Sequence, residues 1–393
     1  MTTTLETREE ATRALFAGVL ATLLAMGWAA SHFTALMPAI RAGEHLSVAT
    51  LDAIFGIYAI GLLPGLLIGG RASDTFGRAP IALVGSMTAL AGTLAMLPSQ
   101  HSAVLLVGRL VVGLGVGLAV SACTSWASDL HGPAGAALAG AVLMAGFAVG
   151  PFASGVIASL GGSGVRLSFA VAAGLVAVAM IIALSISRRT THPLAGPART
   201  AEPSVGQGLG QALGWAMPLA PWVFASASVA FVTIPTRVHT AVAAPLAAGV
   251  AALITNGVSG LVQLLARARR WGPQTGTVGA LLAALGYAAI AVAPAKIPLG
   301  LGFALVLLLG CASGLCLREG LIDVEAAAPQ HIRGTLTGVF YAVTYVGFGL
   351  PLLLTVLGPS REFVLTFAAL AGVATMAAVS RAVRLRRNAH RQN

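Results

Sequence analysis

The chain alternates between long apolar runs and short polar breaks from one end to the other. Twelve apolar runs occupy 14–40, 51–70, 80–98, 103–127, 135–160, 166–187, 214–236, 241–265, 275–294, 298–322, 333–357 and 362–383. A run of about twenty apolar residues is what a helix needs to cross the hydrocarbon of a bilayer. Lipid offers the backbone no water to bond, so a segment in it closes its own hydrogen bonds as a helix. Each run therefore predicts a transmembrane helix, counted here as spans one to twelve. Most breaks leave room only for turns. Residues 188–213 are the exception: Arg188, Arg189, Pro193, Pro197, Arg199, Glu202 and Pro203 give them the composition of a flexible linker. The pattern predicts an all-α membrane protein with two six-helix bundles, 1–187 and 214–393, joined by that linker.

Composition agrees. Only 9% of the 393 residues are charged and 57% are hydrophobic, against roughly 25% charged in a soluble domain. A formal net charge of +11 raises the question of nucleic acid. The basic residues are scattered between apolar blocks without interleaved stacking aromatics, which excludes that partner class. They are instead sorted by side. With the N-terminus inside, Arg8, Arg13, Arg71, Arg78, Arg188, Arg189, Arg199, Arg267, Arg269, Arg270, Arg333, Arg381, Arg384, Arg386, Arg387 and Arg391 fall on inner segments. Only Arg41, Arg166, Arg237, Lys296 and Arg361 fall outside. The bias predicts both termini in the cytoplasm; abundant Ala, Gly and Arg with a single Lys point to a bacterial chain, hence to a bacterial plasma membrane. The opening MTTTLETREEATR lacks a cleavable pattern and is expected to be a cytoplasmic head. Cys123, Cys311 and Cys316 lie in apolar runs without ligand spacing, so neither a metal, a cofactor nor a disulfide framework is expected.

The halves repeat. Pro38 and Pro235 are offset by 197, as are Gly113 in GLGVGLAV and Gly310 in GCASGLCL, and Pro151 and Pro351 are offset by 200. Such repeats mark secondary transporters, which bind substrate near the midplane between the halves.

Charge reappears where it is least expected, in GRASDTFGR between spans two and three. Gly70, Asp74, Gly77 and Arg78 there resemble the signature loop of the major facilitator superfamily, G-x-x-x-D-R/K-x-G-R-R/K; Thr75, Ala79 and Pro80 depart from it. The glycines permit a tight turn and Asp74 can pair with Arg78. The resemblance implies a latch that opens and recloses as the two bundles rock. The matching turn ARARRWGPQ has no acid. In span four Arg109 precedes Gly113 and Gly117, similar to the superfamily's R-x-x-x-G-x-G pattern, which implies a role in proton transfer; the alternative is an arginine reaching to the interface. In span five Gly146, Gly150, Pro151 and Gly155 resemble the G-x-x-x-G-P-x-x-x-G motif of the drug/proton antiporter branch, implying a hinge and seal; plain helix packing is the alternative. Pro151 is expected to kink its span.

Few titratable groups are available for coupling. His32 in span one suits protonation cycling or simple packing; the acid that antiporters often carry there is missing. Glu319 and Asp323, four apart on one face of span ten, suit proton binding or mark the helix end, with adjacent Arg318 facing elsewhere. Asp52 is expected to be solvated. Cavity-lining candidates are Tyr58, Trp126, Phe147, Phe231, Thr255, Asn256, Gln263, Tyr341 and Tyr345, with Tyr341 and Tyr345 forming an aromatic wall. The set suits a moderately hydrophobic organic solute. The reading is a proton-coupled exporter of small amphipathic compounds, working as a monomer in the lipid bilayer. An uptake permease is the rival. No metalloprotease, P-loop or triad pattern supports an enzyme, and short tails disfavour a sensor.

Overall fold

The computed structural model describes residues 2–187, 214–327, 333–358 and 361–392; the expected linker at 188–213 lies outside them. Among the described residues, twelve helices are long and apolar enough to cross a membrane: Thr12–Glu44, Val48–Phe76, Arg78–Ala95, Ser102–Gly132, Ala134–Ser159, Gly164–Ser185, Gly214–Arg237, Ala244–Ala268, Thr275–Val292, Leu299–Ala326, Leu336–Leu357 and Arg361–Arg387. The chain is a multi-pass membrane protein of twelve spans. It divides into two compact units, Met1–Thr200 and Ala201–Asn393.

The helices outrun the apolar runs. Span two continues through Arg71 and Asp74 to Phe76, and span three begins at Arg78. The polar break between them shrinks to one residue, Gly77, at φ +94°. The elbow between spans four and five is one residue longer: only His131 and Gly132 leave helical geometry within Ser102–Ser159. Pro151 therefore sits inside span five, which continues through it in helical geometry. Ser47 starts span two by accepting the Thr50 amide at 3.0 Å, a side-chain N-cap.

Several polar side chains within the spans turn back on their own backbone. Thr22 donates to the Gly18 carbonyl, Ser31 to Gly27, Ser86 to Ala82, Thr93 to Ala89 and Thr255 to Ala251. Each hydroxyl is thus satisfied without a partner helix.

The same helix pairings recur in each unit. Span two packs on four, one on five, three on four and three on six; correspondingly, eight packs on ten, seven on eleven, nine on ten and nine on twelve. In the first unit glycine sets how close these pairs come. A Cβ on Gly61 or Gly65 would strike the Leu110 or Leu114 carbonyl of span four, and one on Gly113 would strike the Tyr58 carbonyl of span two. A Cβ on Gly117 would stand 2.5 Å from the Leu62 carbonyl and 2.7 Å from the Leu66 amide. Spans two and four are thus in backbone contact along about two turns. Lipid supplies no hydrophobic drive between helices, so such close approach carries the association.

Gly117→Leu should therefore prevent formation of a monodisperse protein, since overpacking even a tolerant core costs about 1–3 kcal/mol. Gly140→Leu, where an added Cβ meets nothing within 4 Å, should leave yield and the thermal midpoint in detergent unchanged. Size-exclusion profiles and thermal unfolding of the two variants check this.

Candidate functional site

The structure sorts the candidate residues into three polar clusters and one aromatic group. The first cluster is the elbow at Gly77. Arg78 Nη1 donates to Ser73 Oγ at 2.8 Å and to Asp74 Oδ1. Its Nε donates to Asp129 Oδ2 at 2.8 Å. One guanidinium thus ties the ends of spans two, three and four. Asp74 is 65% exposed and Asp129 41%; pairs this wet contribute little stability, up to about 1 kcal/mol, and hold geometry instead. Asp129 escaped the sequence reading because it stands 51 residues from Arg78 and looks like any charge at a span end. The Gly70 carbonyl accepts from Ser73 Oγ at 2.9 Å, the hydroxyl that Arg78 contacts. Gly70 lies inside span two, where an added Cβ would stand an ordinary 3.4 Å from Ser121 Oγ.

The second cluster lies inside the first unit. Arg109 is 1% exposed. Its Nη1 donates to the Ala30 carbonyl at 2.9 Å, and its guanidinium lies 5.0 Å from the Phe33 ring centroid and 4.4 Å from that of Tyr58. It turns inward against spans one and two and does not reach for an interface. Two aromatic faces and one carbonyl are how a cation is held without water. His32, on the same stretch of span one, is fully buried. Its Nδ1 is 3.1 Å from both the Trp28 and Ala29 carbonyls. Both are acceptors, so Nδ1 carries the proton, and Nε2 is the bare nitrogen. Nε2 has no hydrogen-bond partner among the described residues. The ring meets Phe169 edge-on at 5.3 Å. Asp52, expected in water, is buried at 2% exposure in span two; the helix starts at Val48, so its carboxyl is one turn inside the bundle. The antiporter-like motif of span five faces this stretch. A Cβ on Gly146 would strike the Leu24 carbonyl and stand 3.0 Å from Gly27 Cα; one on Gly150 would stand 2.9 Å from Trp28 Cα. Pro151 and Gly155 are buried beside them.

The third cluster closes one end of the second unit. Arg381 of span twelve donates to Asp323 Oδ2 at 2.5 Å and Oδ1 at 3.2 Å, and to Glu319 Oε1 at 3.3 Å. It also donates to the Trp215 and Pro273 carbonyls at 3.1 and 3.3 Å. Arg318 donates to Glu319 Oε2 at 3.1 Å, so it reaches round the helix to the face it was expected to avoid. The Thr275 hydroxyl completes Glu319 at 2.6 Å. Two carboxylates and two guanidiniums balance, and Gly276 makes room: a Cβ there would stand 2.8 Å from Arg381 Nε and 2.9 Å from Glu319 Cγ. This pairing makes Glu319 and Asp323 members of an internal clamp joining spans seven, nine, ten and twelve. Arg381 was counted with the tail, yet its signal was present. Phe367, Ala374, Ala378 and Arg381 repeat at helical spacing and are all buried, so Arg381 continues the inward stripe.

The cavity candidates are dispersed. Tyr58 lies over Arg109. Trp126 belongs to an apolar cluster with Leu15, Val19, Leu23 and Cys123, beside a cleft among spans one, three, four and six. Phe231 is buried in span seven. Asn256 and Gln263 donate to the Ala252 and Ser259 carbonyls of their own helix. Tyr341 and Tyr345 do come together, with ring centroids 6.2 Å apart.

These features are those of a membrane transporter. The Major Facilitator Superfamily profile matches residues 17–351, and the chain belongs to that family. Over 81 residues it is 33% identical to a multidrug resistance protein MdtL of Klebsiella pneumoniae, and 31% identical to that of Salmonella typhimurium. The aligned stretch is 21% of this chain and 21% and 20% of those relatives. A solved mutant of the peptide transporter POT with sulfate superposes at TM-score 0.79 with 14% identity, covering 95% of this chain and 94% of that one. A POT family transporter with 5-aminolevulinic acid gives 0.76 and 13%, covering 94% and 95%. At that identity the likeness concerns the fold. Family and fold point to a carrier of small molecules and not to an enzyme.

Arg381→Met should lower stability by about 3–5 kcal/mol, because it leaves the buried Glu319 and the largely covered Asp323 with one remaining arginine. Adding Glu319→Gln and Asp323→Asn should recover much of that loss. Thermal unfolding of the single and triple variants in the same detergent checks the expectation.

Proposed function

We propose that the chain is a proton-coupled exporter of small amphipathic organic compounds. It works as a monomer by alternating access in a bacterial plasma membrane, with both termini in the cytoplasm. The observation that carries the reading is the shared use of span one. His32, Arg109 through the Ala30 carbonyl, and the Gly146–Gly150 face of span five all bear on residues 27 to 33. A proton taken up at His32 Nε2 puts a second cation beside the Arg109 site. The repulsion loosens the arginine from Ala30, and span one then shifts against span five, whose glycines leave no side chain in the way. Asp52 is a second buried titratable group of this unit and a candidate for the same proton. Asp74, Arg78 and Asp129 act as the latch that is remade once per cycle. The names of the partial relatives support the drug-like substrate and the outward direction.

The test is accumulation of amphipathic dyes in inside-out vesicles with an imposed acid interior. Accumulation is expected with the wild-type chain. It should fall at least tenfold with Arg109→Ala and lose its response to the gradient with His32→Gln or Asp52→Asn, while Asp74→Asn should slow it without abolishing it. Extrusion of solute in place of accumulation would establish the uptake permease. No gradient-driven movement of any compound would sink the proposal.

A further inference from the structure

Spans seven and eleven carry an arrangement of rings that the coupling scheme leaves unused. Phe224 stands 4.8 Å from both Tyr345 and Phe348, at interplanar angles of 13° and 27°. Tyr345 and Phe348 are 5.8 Å apart at 15°, and Tyr341 follows Tyr345 at 26°. Four rings are thus close to parallel. Ring pairs elsewhere in the same unit are steeper: 53° for Trp222–Tyr287, 60° for Phe363–Phe367 and 66° for Phe340–Tyr341. Free ring pairs accept offset-stacked and edge-on geometries alike, so four parallel rings are an arrangement the backbone imposes.

The backbone contact that imposes it is visible. A Cβ on Gly347 would strike the Ala225 amide and stand 2.6 Å from the Phe224 carbonyl carbon. Ser228 Oγ donates to the Gly347 carbonyl at 2.9 Å. Both helices are irregular at this contact. Span eleven tightens to a 3-10 turn over Val346–Gly349, and span seven widens to a π turn over Val229–Thr233. Such departures recur at functional hinges. The rings themselves are not fully packed away: Phe224, Tyr341 and Tyr345 are half-buried. Over residues 336–346, the stretch that carries the tyrosines, the exposed side chains are Val339 and, one heptad on, Val346. Tyr341 and Tyr345 lie about 200° and 240° round the helix from Val339, so their open parts belong to a different face.

Charge narrows the guest. Spans seven and eleven contain no Asp or Glu, and Glu319 and Asp323 are engaged by Arg381 and Arg318. A cation resting on the rings would have no counter-charge from these spans. The four rings are flat and apolar, and two of them, Tyr341 and Tyr345, each carry a hydroxyl.

We propose that Phe224, Tyr341, Tyr345 and Phe348 form a stacking slab for flat, uncharged aromatic compounds bearing a hydroxyl or carbonyl edge, and that the paired irregular turns beside it let the slab adjust to its guest. The proposal names the substrate class of the exporter described above and rests on that reading for its role in transport; the binding step stands apart from it.

The test is equilibrium binding to the full chain in nanodiscs, with protein-free discs subtracted. The probes are tritiated 1-naphthol and decahydro-1-naphthol, which share a carbon skeleton and a hydroxyl but differ in flatness. The wild-type chain is expected to bind 1-naphthol about threefold to tenfold more tightly, the range that one or two aromatic stacking contacts supply. Tyr345→Leu and Phe224→Leu should erase that preference and leave decahydro-1-naphthol binding within twofold; Tyr345→Phe should retain it. Where a leucine variant does not fold, Tyr341→Leu, at the end of the stack, carries the same expectation. Equal binding of the two alcohols by the wild-type chain, no binding of either, or a preference that survives the leucine variants would overturn the slab. A chain that binds 1-naphthol selectively but moves no compound under a pH gradient would sink the transport reading and leave the slab standing.

Discussion

Helices in lipid have no apolar reward for touching one another, because the hydrocarbon around them is as apolar as their side chains. What holds this chain together is therefore backbone brought against backbone, and glycine decides where. Spans two and four meet at Gly61, Gly65, Gly113 and Gly117; spans one and five meet at Gly27, Gly146 and Gly150; spans seven and eleven meet at Gly347. The motif positions that resemble family signatures are largely these contact points. Their function and their packing are one property: a surface without side chains lets a helix slide, and it is also what allows two helices to lie that close.

The polar groups follow from the same solvent. With almost no charge available, each buried charge is met by a partner or by aromatic faces. Arg109 has a carbonyl and two rings, while Arg381 has two carboxylates and two carbonyls. The two units solve the problem differently. The first joins its span ends through a wet arginine on a one-residue elbow, the second through a dry arginine borrowed from span twelve. The unit lacking an acid in its turn thus has its own ionic tie, in a place where solvent and salt reach it less.

Twelve spans and two halves were legible in the sequence because hydrocarbon imposes a length and a period that no competing force blurs. The span-five and span-four glycines were legible as well, since their spacing is itself the contact. Longer-range pairings were not. Asp129 and Arg78 are separated by a whole helical hairpin, and nothing local distinguishes Asp129 from an interfacial charge. Asp52 was misjudged because its distance from the polar break was counted from the apolar run, while the helix itself begins earlier, at Val48. Asn256 and Gln263 look conspicuous as letters, yet amides in lipid are satisfied most simply by their own helix, and that is where they point. Arg381 was hidden by the basic tail that follows it, although its register on the buried stripe of span twelve gave it away.

The elbow at Gly77 has a bearing on how this gene can vary. With a single residue between two helices, inserting or deleting one amino acid there would rotate span three by about 100°. That turn would carry Gly85 and Ala89 away from Gly115, the backbone they now touch. Length changes between spans two and three should therefore be absent among viable variants, even though this loop is exposed and polar, while the stretch from His45 to Ser47 has room to grow. In this chain, tolerance to indels is set by how few residues separate two packed helices and not by how wet the connection is.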